Sequence, residues 1–200
     1  MRPSFLYSLI VVASWPLLYG LFRLRARGLE NVPREGGFVL AANHLSNLDP
    51  WPLGLPLFPR RFLRFMAKSE LYWFPLNLIL RGGGAFPVRR GQHDYEALET
   101  AVRLCREGHV VVMFPEGTRR EKGLRKKWEA RAHTGAARIA LDAGVPLVPA
   151  AISGTDRLAR LGPLRVAFGE PVAVDGLDPA AATDRLMAAI EELYAGLSRE

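Results

Sequence analysis

Short apolar runs and amphipathic stretches alternate along most of the chain. The apolar runs predict buried strands at Phe38–Ala42, Phe62–Ala67, Ala85–Val88, Val110–Phe114, Leu147–Ile152 and Leu164–Phe168. Apolar residues with helical spacing predict three helices, whose stripes contain Leu98, Ala101, Val102 and Cys105; Ala136, Ile139, Ala140 and Ala143; and Leu186, Ala189, Ile190 and Leu193. Strands that alternate with helices are typical of βαβ units. The pattern therefore predicts an α/β fold with a mainly parallel sheet flanked by helices.

The first stretch, Phe5–Phe22, is apolar throughout and carries no charge. Arginines flank it on both sides: Arg2 before it, and Arg23, Arg25 and Arg27 after it. A helix of this length reaches about 27 Å, which is marginal for crossing a bilayer, and Pro16 is expected to kink it. We predict a helix or helical hairpin that lies in the membrane interface, with a transmembrane span and a buried helix as alternatives. Residues 1–27 then form an anchoring segment, and residues 28–200 form the main domain.

Composition and charge limit the number of domains, the disulfides and metal sites, and the kinds of binding partner that the chain can have. The chain has 200 residues, which suits a single domain with a sizeable core. The single cysteine, Cys105, excludes an internal disulfide and a multi-cysteine metal site, and its place in a helical stripe predicts a core thiol. A net charge of +7 favours anionic partners such as nucleic acid, a membrane surface or a phosphorylated substrate.

Two polar clusters follow directly after apolar runs. Residues 43–49, Asn-His-Leu-Ser-Asn-Leu-Asp, follow the strand predicted at Phe38–Ala42, and residues 114–119, Phe-Pro-Glu-Gly-Thr-Arg, overlap the end of the strand predicted from Val110. In open α/β sheets, ligands bind at the carboxyl ends of parallel strands. The two clusters are therefore expected to form one active site at one edge of the sheet.

His44 and Asp49 suit general-base chemistry. A neutral imidazole can accept the proton of a hydroxyl, and a carboxylate on its other nitrogen fixes the tautomer and stabilises the imidazolium. Taken alone, the spacing also fits a histidine followed by an unrelated helix-capping aspartate. Ser46 is a weaker candidate nucleophile because it lacks a Gly-x-Ser-x-Gly elbow. A zinc site has little support, since the other histidines show no ligand spacing: His93, His109 and His133.

Two further segments suit the binding of an anion. In the cluster Glu116-Gly117-Thr118-Arg119, the glycine allows a ligand close to the backbone and the guanidinium suits a phosphate. Glu116 could hydrogen-bond a substrate hydroxyl. The segment Gly82–Arg90 ends in two arginines after another short strand. Taken singly, each segment also fits a polar turn or a glycine turn with solvated arginines.

Taken together, these blocks resemble the glycerolipid acyltransferase family, and most closely the bacterial 1-acylglycerol-3-phosphate acyltransferases. The matches are Asn43, His44 and Asp49 in the first block, Gly84 and Arg90 in the second, Phe114 to Arg119 in the third, and Val145, Pro146 and Pro149 in the fourth. The resemblance runs from about Gly28 to the C-terminal helix. It departs from the family at Arg89, where an acidic residue is common, and around His133–Gly135, where a common lysine is replaced.

The resemblance implies a glycerophosphate acyltransferase-like fold and transfer of a fatty acyl group to the free hydroxyl of 1-acylglycerol-3-phosphate, giving phosphatidate. The donor would be acyl-CoA or an acyl carrier protein thioester, with no metal, no other cofactor and no nucleic-acid partner. His44 would be the base and Asp49 its partner. The substrate-binding residues would be Arg90, Glu116, Gly117, Thr118 and Arg119, and the fourth block would border the donor channel. Such an enzyme is expected at the membrane, on the cytoplasmic face of the cell membrane.

Two other functions remain open. One keeps the chemistry and changes the acceptor to glycerol 3-phosphate, another lysophospholipid or a lyso-aminolipid. The other is a non-catalytic membrane-binding protein, against which the intact motif residues argue. The basic segment 119–131 could dock on anionic lipid, on the phosphates of coenzyme A or on acyl carrier protein, or could be a solvated loop.

Overall fold

A central sheet organises the computed structural model, which describes residues 4–88, 95–116 and 132–199. Its strands are β1 (Arg25–Arg27), β2 (Phe38–Ala42), β3 (Leu63–Lys68), β4 (Ala85–Val88), β5 (Val110–Met113), β6 (Leu147–Ser153) and β7 (Arg165–Phe168). They are ordered β1-β7-β6-β2-β5-β3-β4. Every neighbouring pair is parallel except β6 and β7. The predicted α/β fold with a mainly parallel sheet is confirmed.

The helices of the described residues are α1 (Phe5–Trp15), α2 (Pro50–Gly54), α3 (Leu76–Gly82), α4 (Tyr95–Arg106), α5 (Gly135–Ala143) and α6 (Pro179–Leu197). A π-helix continues α1 over Pro16–Leu21, and 3-10 turns cover Leu29–Asn31, Leu55–Leu57, Ser69–Leu71 and Thr155–Arg160. The three helices predicted from their apolar stripes are α4, α5 and α6. The predicted strands match β2 to β7 to within one residue at each end. The sequence pattern did not predict β1, because a three-residue strand with two exposed arginines has no apolar run.

Helices cover both faces of the sheet. On β2, Phe38, Leu40 and Ala42 pack with the cluster that contains α1, the π-helix and α2. The alternate residues Val39 and Ala41 pack with the cluster that contains α4, α5 and α6. All five residues of β2 are fully buried. This explains why its sequence is continuously apolar, as expected for a parallel strand covered on both faces.

The first helix, α1, packs on the sheet with one side and exposes an apolar opposite side. Its buried side carries Tyr7, Val11 and Ser14, and Leu18 continues it in the π-helix. The opposite side exposes large apolar residues, among them Phe5, Leu9, Val12 and Trp15. Among the described residues, no helix has the length and apolar character needed to cross a membrane. The predicted N-terminal apolar helix is therefore present, and its place in a membrane interface stays a prediction.

Two hydrogen bonds fix the direction of α1 across the sheet. The backbone N–H of Leu63, at the amino end of β3, donates to the hydroxyl of Tyr7 at 3.2 Å. Near the other end of the helix, Trp51 Nε1 donates to Ser14 Oγ at 2.8 Å. Trp51 lies in α2, which follows the loop after β2. Helix α1 therefore runs from the amino edge of the parallel strands to their carboxyl edge.

The helix type changes at Pro16. Proline has no N–H and cannot donate the α-helical hydrogen bond to the residue four positions earlier. Beyond this point Phe22 N donates to the carbonyl of Leu17 at 3.0 Å, five residues earlier, which is the π-helical pattern. The structure thus shows a change in the hydrogen-bond pattern at Pro16, and the expected kink stays a prediction.

Candidate active site

Three loops meet at the carboxyl edge of the central strands. Strand β2 lies between β5 and β6, with Ala41 opposite Met113 and Ala42 opposite Ala150. Because all three strands are parallel, the loops after them, which begin at Asn43, Phe114 and Gly154, leave the sheet at the same edge. The strand order therefore brings the first block and the described start of the third block, residues 114–116, to the same edge of the sheet.

Asn43 ties the first loop to β6. It is fully buried, its Nδ2 donates to the carbonyl oxygen of Ile152 at 2.9 Å, and its Oδ1 accepts from the N–H of Ile152 at 2.8 Å. These two bonds satisfy a buried side-chain amide with both backbone groups of a single residue. Asn43 thus fixes the point at which the chain leaves β2 and presents the next residue, His44.

His44 and Asp49 form a hydrogen-bonded pair. The Nδ1 atom of His44 lies 2.8 Å from Oδ2 of Asp49, and the two side chains are 12% and 0% exposed. A carboxylate accepts hydrogen bonds, so this contact places the proton of a neutral imidazole on Nδ1 and leaves the lone pair on Nε2. This contact has the geometry expected of a base with an orienting carboxylate, and the catalytic roles of His44 and Asp49 stay a prediction.

The Asp49 carboxylate is held by further donors. Oδ2 also accepts from the backbone N–H groups of Leu45 at 2.7 Å and Ser46 at 2.9 Å. Oδ1 accepts from the hydroxyl of Thr155 at 2.5 Å. A buried carboxylate needs such donors to offset the loss of its hydration. Its side chain makes no capping bond to α2, so the alternative of a helix-capping aspartate does not describe this residue.

Thr155 is a site residue that the sequence analysis missed. It is buried and stands directly after Gly154, whose φ of +93° is unfavourable for other residues. A Cβ atom on Gly154 would lie 2.5 Å from the carbonyl oxygen of Pro163. The sequence does contain a signal, since Ser153, Gly154 and Thr155 form a third polar cluster that ends the apolar run of β6.

Phe114 packs against the imidazole of His44. The ring centroids are 4.2 Å apart and the ring planes are inclined by 22°. The contact follows from the parallel pairing of β2 and β5, and it limits rotation of the imidazole away from Asp49. The next residues are buried Pro115 and half-buried Glu116. The N–H of His133 donates to the carbonyl of Pro115 at 2.8 Å, so the chain returns to this edge just before α5.

A family model described as "Acyltransferase" matches residues 23–153 of the chain. The chain belongs to this acyltransferase family. It is 33% identical over 170 residues to the 1-acyl-sn-glycerol-3-phosphate acyltransferase of Bacillus subtilis, covering 82% of this chain and 81% of that protein. It is 31% identical to the human 1-acyl-sn-glycerol-3-phosphate acyltransferase beta, over 71% of this chain and 50% of that protein.

A solved structure with a similar fold is the 1-acyl-sn-glycerophosphate acyltransferase PlsC of Thermotoga maritima. The two folds superpose with a TM-score of 0.66 at 27% identity, over 94% of this acyltransferase and 78% of that chain. The resemblance drawn from the four blocks is therefore confirmed.

Several predicted substrate-binding residues lie outside the described residues. They are Arg90, Gly117, Thr118 and Arg119, and the basic segment 119–131 falls there as well. Of the second block, the structure describes Gly84, whose φ is +93° and whose Cβ would lie 2.3 Å from the carbonyl oxygen of Leu63. Gly84 precedes β4 at the amino edge of the sheet, away from His44. This glycine shapes the entry to β4.

The fourth block contributes to the sheet itself. The carbonyl of Pro146 accepts from the N–H of Val39 at 3.0 Å, and the carbonyl of Pro149 accepts from Gly169 at 2.9 Å. Val145 packs against the apolar cluster on the α5 face. These contacts position β6 beside β2, and a role in the donor channel stays a prediction.

The structure also places the other residues that the sequence raised as a nucleophile, a reactive thiol or a metal ligand. The Ser46 hydroxyl accepts from the N–H of Leu48 at 3.3 Å. Cys105 is buried in the core, and burial raises the pKa of its thiol to about 12. His109 lies at the amino edge and His133 lies exposed before α5, while His93 is outside the described residues. Within the described part of the chain, no cluster of three or more histidine, cysteine or acidic residues could hold a metal ion.

Proposed function

We propose that this acyltransferase moves a fatty acyl group from acyl-CoA or an acyl carrier protein thioester to the free hydroxyl of 1-acylglycerol-3-phosphate. The product is phosphatidate, an intermediate of phospholipid biosynthesis. The observation that carries the proposal is the hydrogen-bonded pair of His44 and buried Asp49 at the carboxyl edge of the sheet. The names of the bacterial and human relatives support this choice of acceptor.

The reaction is a direct transfer. The acceptor hydroxyl oxygen attacks the thioester carbonyl carbon while its proton passes to Nε2 of His44. Asp49 stabilises the imidazolium through the bond at Nδ1. The carbon–sulfur bond then breaks, and the leaving thiolate takes up the proton from Nε2. The new carbon–oxygen bond is the ester of the product, and His44 returns to its neutral state.

We assign the binding of the acceptor's phosphate to residues of the third and second sequence blocks. Glu116 leaves β5 next to the His44 loop, and we place Gly117, Thr118 and Arg119 on the glycerol phosphate beside it. Arg90 follows β4, which is separated from β2 by β5 and β3. At the usual spacing of strands this separation is about 14 Å. We propose that the glycerol phosphate reaches from His44 along this edge, over β5 and β3, and that Arg119 and Arg90 bind its phosphate.

The exposed side of α1 suits a membrane surface. Its outward residues are apolar, and Trp15 is 57% exposed at the end of the helix nearest the His44 loop. Amphipathic or apolar helices of this kind bury their outer face among lipid headgroups and acyl chains. We therefore propose that residues 1–27 hold the enzyme on a membrane, at the cytoplasmic face, where its amphiphilic acceptor and product reside.

An acceptor panel tests the proposed reaction. Purified enzyme is incubated with labelled palmitoyl-CoA or palmitoyl-acyl carrier protein and with lysophosphatidate, glycerol 3-phosphate, lysophosphatidylcholine or monoacylglycerol. Labelled phosphatidate from lysophosphatidate is expected as the main product, with His44→Ala as the inactive control. Equal transfer to monoacylglycerol would contradict a phosphate-directed acceptor site. Absence of transfer to all four acceptors would contradict the proposed activity.

A further inference from the structure

A cavity opens at the amino edge of the parallel strands, away from His44. Its volume is about 370 Å³, which falls within the usual range for small-molecule pockets, about 300–1,000 Å³. Its lining includes Tyr7, Phe62, Arg64, Arg81, Gly84 and His109. Phe62, Gly84 and His109 each directly precede a strand, namely β3, β4 and β5. The cavity therefore lies at the opposite end of these strands from the acyl-transfer site.

The lining is cationic. It includes Arg64 and Arg81 but no aspartate or glutamate. Among the described residues, neither guanidinium group has a hydrogen-bond or ion-pair partner, and Nε of Arg64 is buried. Buried donors are usually paired, so an unpaired guanidinium N–H beside a cavity indicates a missing acceptor. Guanidinium groups recognise phosphate oxygens with two parallel hydrogen bonds.

Neighbouring groups add further donors. The hydroxyl of Tyr7 accepts from Leu63 N, so its own hydrogen is available for an acceptor in the cavity. The hydroxyl of Tyr72 is also buried without a partner. Burial raises the pKa of Tyr72, and the charges of Arg81 and Arg64 lower it, which places this residue close to both arginines. Arg64 and the two tyrosine hydroxyls thus supply donors that an anion could use.

Apolar surface adjoins the cavity on two helices. Helices α1 and α3 both contribute lining residues, and they touch where Leu6 packs against Gly82. Their outer sides expose Phe5 and Leu9 on α1, and Leu78 and Ile79 on α3. Phe74, just before α3, is 76% exposed. An anionic headgroup in the cavity would thus have hydrocarbon-binding surface directly beside it.

We propose that this cavity binds the phosphate of an anionic phospholipid whose acyl chains lie along the outer sides of α1 and α3. The site is distinct from the acceptor site because the two lie at opposite edges of the sheet. A lipid bound here would hold the N-terminal helix against the bilayer through a specific headgroup contact. The inference does not depend on the proposed reaction.

Calorimetric titration of the full-length protein tests the site without an acyl donor. The probes are soluble dihexanoyl phosphatidylglycerol, dihexanoyl phosphatidylcholine and inorganic phosphate. Wild-type protein is expected to bind the anionic lipid at least tenfold more tightly than the zwitterionic lipid. Arg81→Gln should weaken binding of the anionic lipid about tenfold, as loss of a charged hydrogen bond does. The double variant Arg64→Gln/Arg81→Gln should abolish the preference.

A charge-matched variant separates the cavity from general electrostatics. Arg103 and Arg138 are exposed on α4 and α5, which cover the other face of the sheet, so Arg103→Gln/Arg138→Gln should bind lipid as the wild type does. Arg81 is exposed, so its single variant is expected to fold even if loss of Arg64 destabilises the chain. Equal affinity for the two lipids, or an equal loss in the control variant, would overturn the proposal. Inorganic phosphate binding as tightly as the anionic lipid would overturn the assignment to a lipid.

Discussion

At the scale of single residues, the candidate site depends on the position of one buried carboxylate. Asp49 accepts four hydrogen bonds, from His44, from two backbone N–H groups of its own loop and from Thr155 after β6. The imidazole is held on its other side by the ring of Phe114. Two loops and a strand end therefore combine to orient a single side chain, His44.

Removal of the base should abolish acyl transfer. We expect His44→Ala to lower kcat at least a hundredfold, since general-base catalysis contributes about 10²–10⁴-fold. Asp49→Asn should cost less, because an amide oxygen can still accept from Nδ1 in a fraction of orientations. Steady-state kinetics with lysophosphatidate measures both, with circular dichroism as the test of folding. A His44→Ala variant that keeps more than about a tenth of the activity would rule out this mechanism.

Thr155 is expected to act through Asp49. Thr155→Val keeps the shape of the side chain and removes the donor to Oδ1, and we expect about a tenfold loss in kcat with little change in KM. Loss of a hydrogen bond to a charged group costs about 1.5–3 kcal/mol, so the melting temperature should fall as well. Thr155→Ser should restore most of kcat. A variant whose stability falls while kcat stays at the wild-type value would assign Thr155 to folding alone.

Cys105 should be inert in the native protein. Burial raises the pKa of its thiol to about 12, so at pH 8 only about one molecule in ten thousand carries the reactive thiolate. Reaction with a chromogenic disulfide reagent should therefore be very slow in buffer and complete within minutes in guanidinium chloride. Rapid labelling of the folded protein would show that the thiol is accessible.

At the scale of elements, the N-terminal helix has two apolar sides with different surroundings. Tyr7 and Val11 face the sheet, whereas Leu9 and Val12 face outward. The pattern of hydrophobic residues could not predict which side of α1 is buried, because the exposed side is apolar as well. The packing of α1 on β3 and α2 decides which side is buried.

Paired substitutions distinguish membrane binding from core packing. Leu9→Ser/Val12→Ser should release the protein from anionic vesicles with little change in melting temperature. Val11→Ser should destabilise the fold by about 2–4 kcal/mol, because it leaves a cavity and a polar group in the core. Vesicle sedimentation and thermal unfolding measure the two effects. Residual vesicle binding of the outward variant should fall with added salt. Unchanged binding by that variant would place the anchor elsewhere.

At the scale of the whole molecule, the order of the strands assembles the site. The first and third blocks are separated by about 70 residues in the sequence, yet they meet because β2 and β5 are neighbours in the sheet. The second block runs in the sequence from Gly84, just before β4, to Arg90 after it, and β4 is the strand at the outer end of the same sheet.

The arginines of the second and third blocks should report on the acceptor phosphate. We expect Arg119→Ala and Arg90→Ala to raise KM for lysophosphatidate about tenfold with a smaller change in kcat, since a phosphate contact kept throughout the reaction is uniform binding. Kinetics with lysophosphatidate and with monoacylglycerol measure the difference. An equal loss with the acceptor that lacks phosphate would assign these arginines to the donor or to the scaffold.

The sequence by itself determined the strands β2 to β7 to within one residue at each end, and the helices α4 to α6. Each of these depends on local periodicity, because a strand or helix that is buried on one or both faces needs apolar residues at regular spacing. For His44 and Asp49 the spacing left two interpretations open, and the structure decided between them by placing the two side chains in contact. Only the tertiary structure decided the direction of α1, the presence of β1, the bond from Thr155 to Asp49 and the cationic cavity at the amino edge. These features join segments that are far apart in the chain, because strand order and helix packing, rather than local pattern, bring such residues into contact.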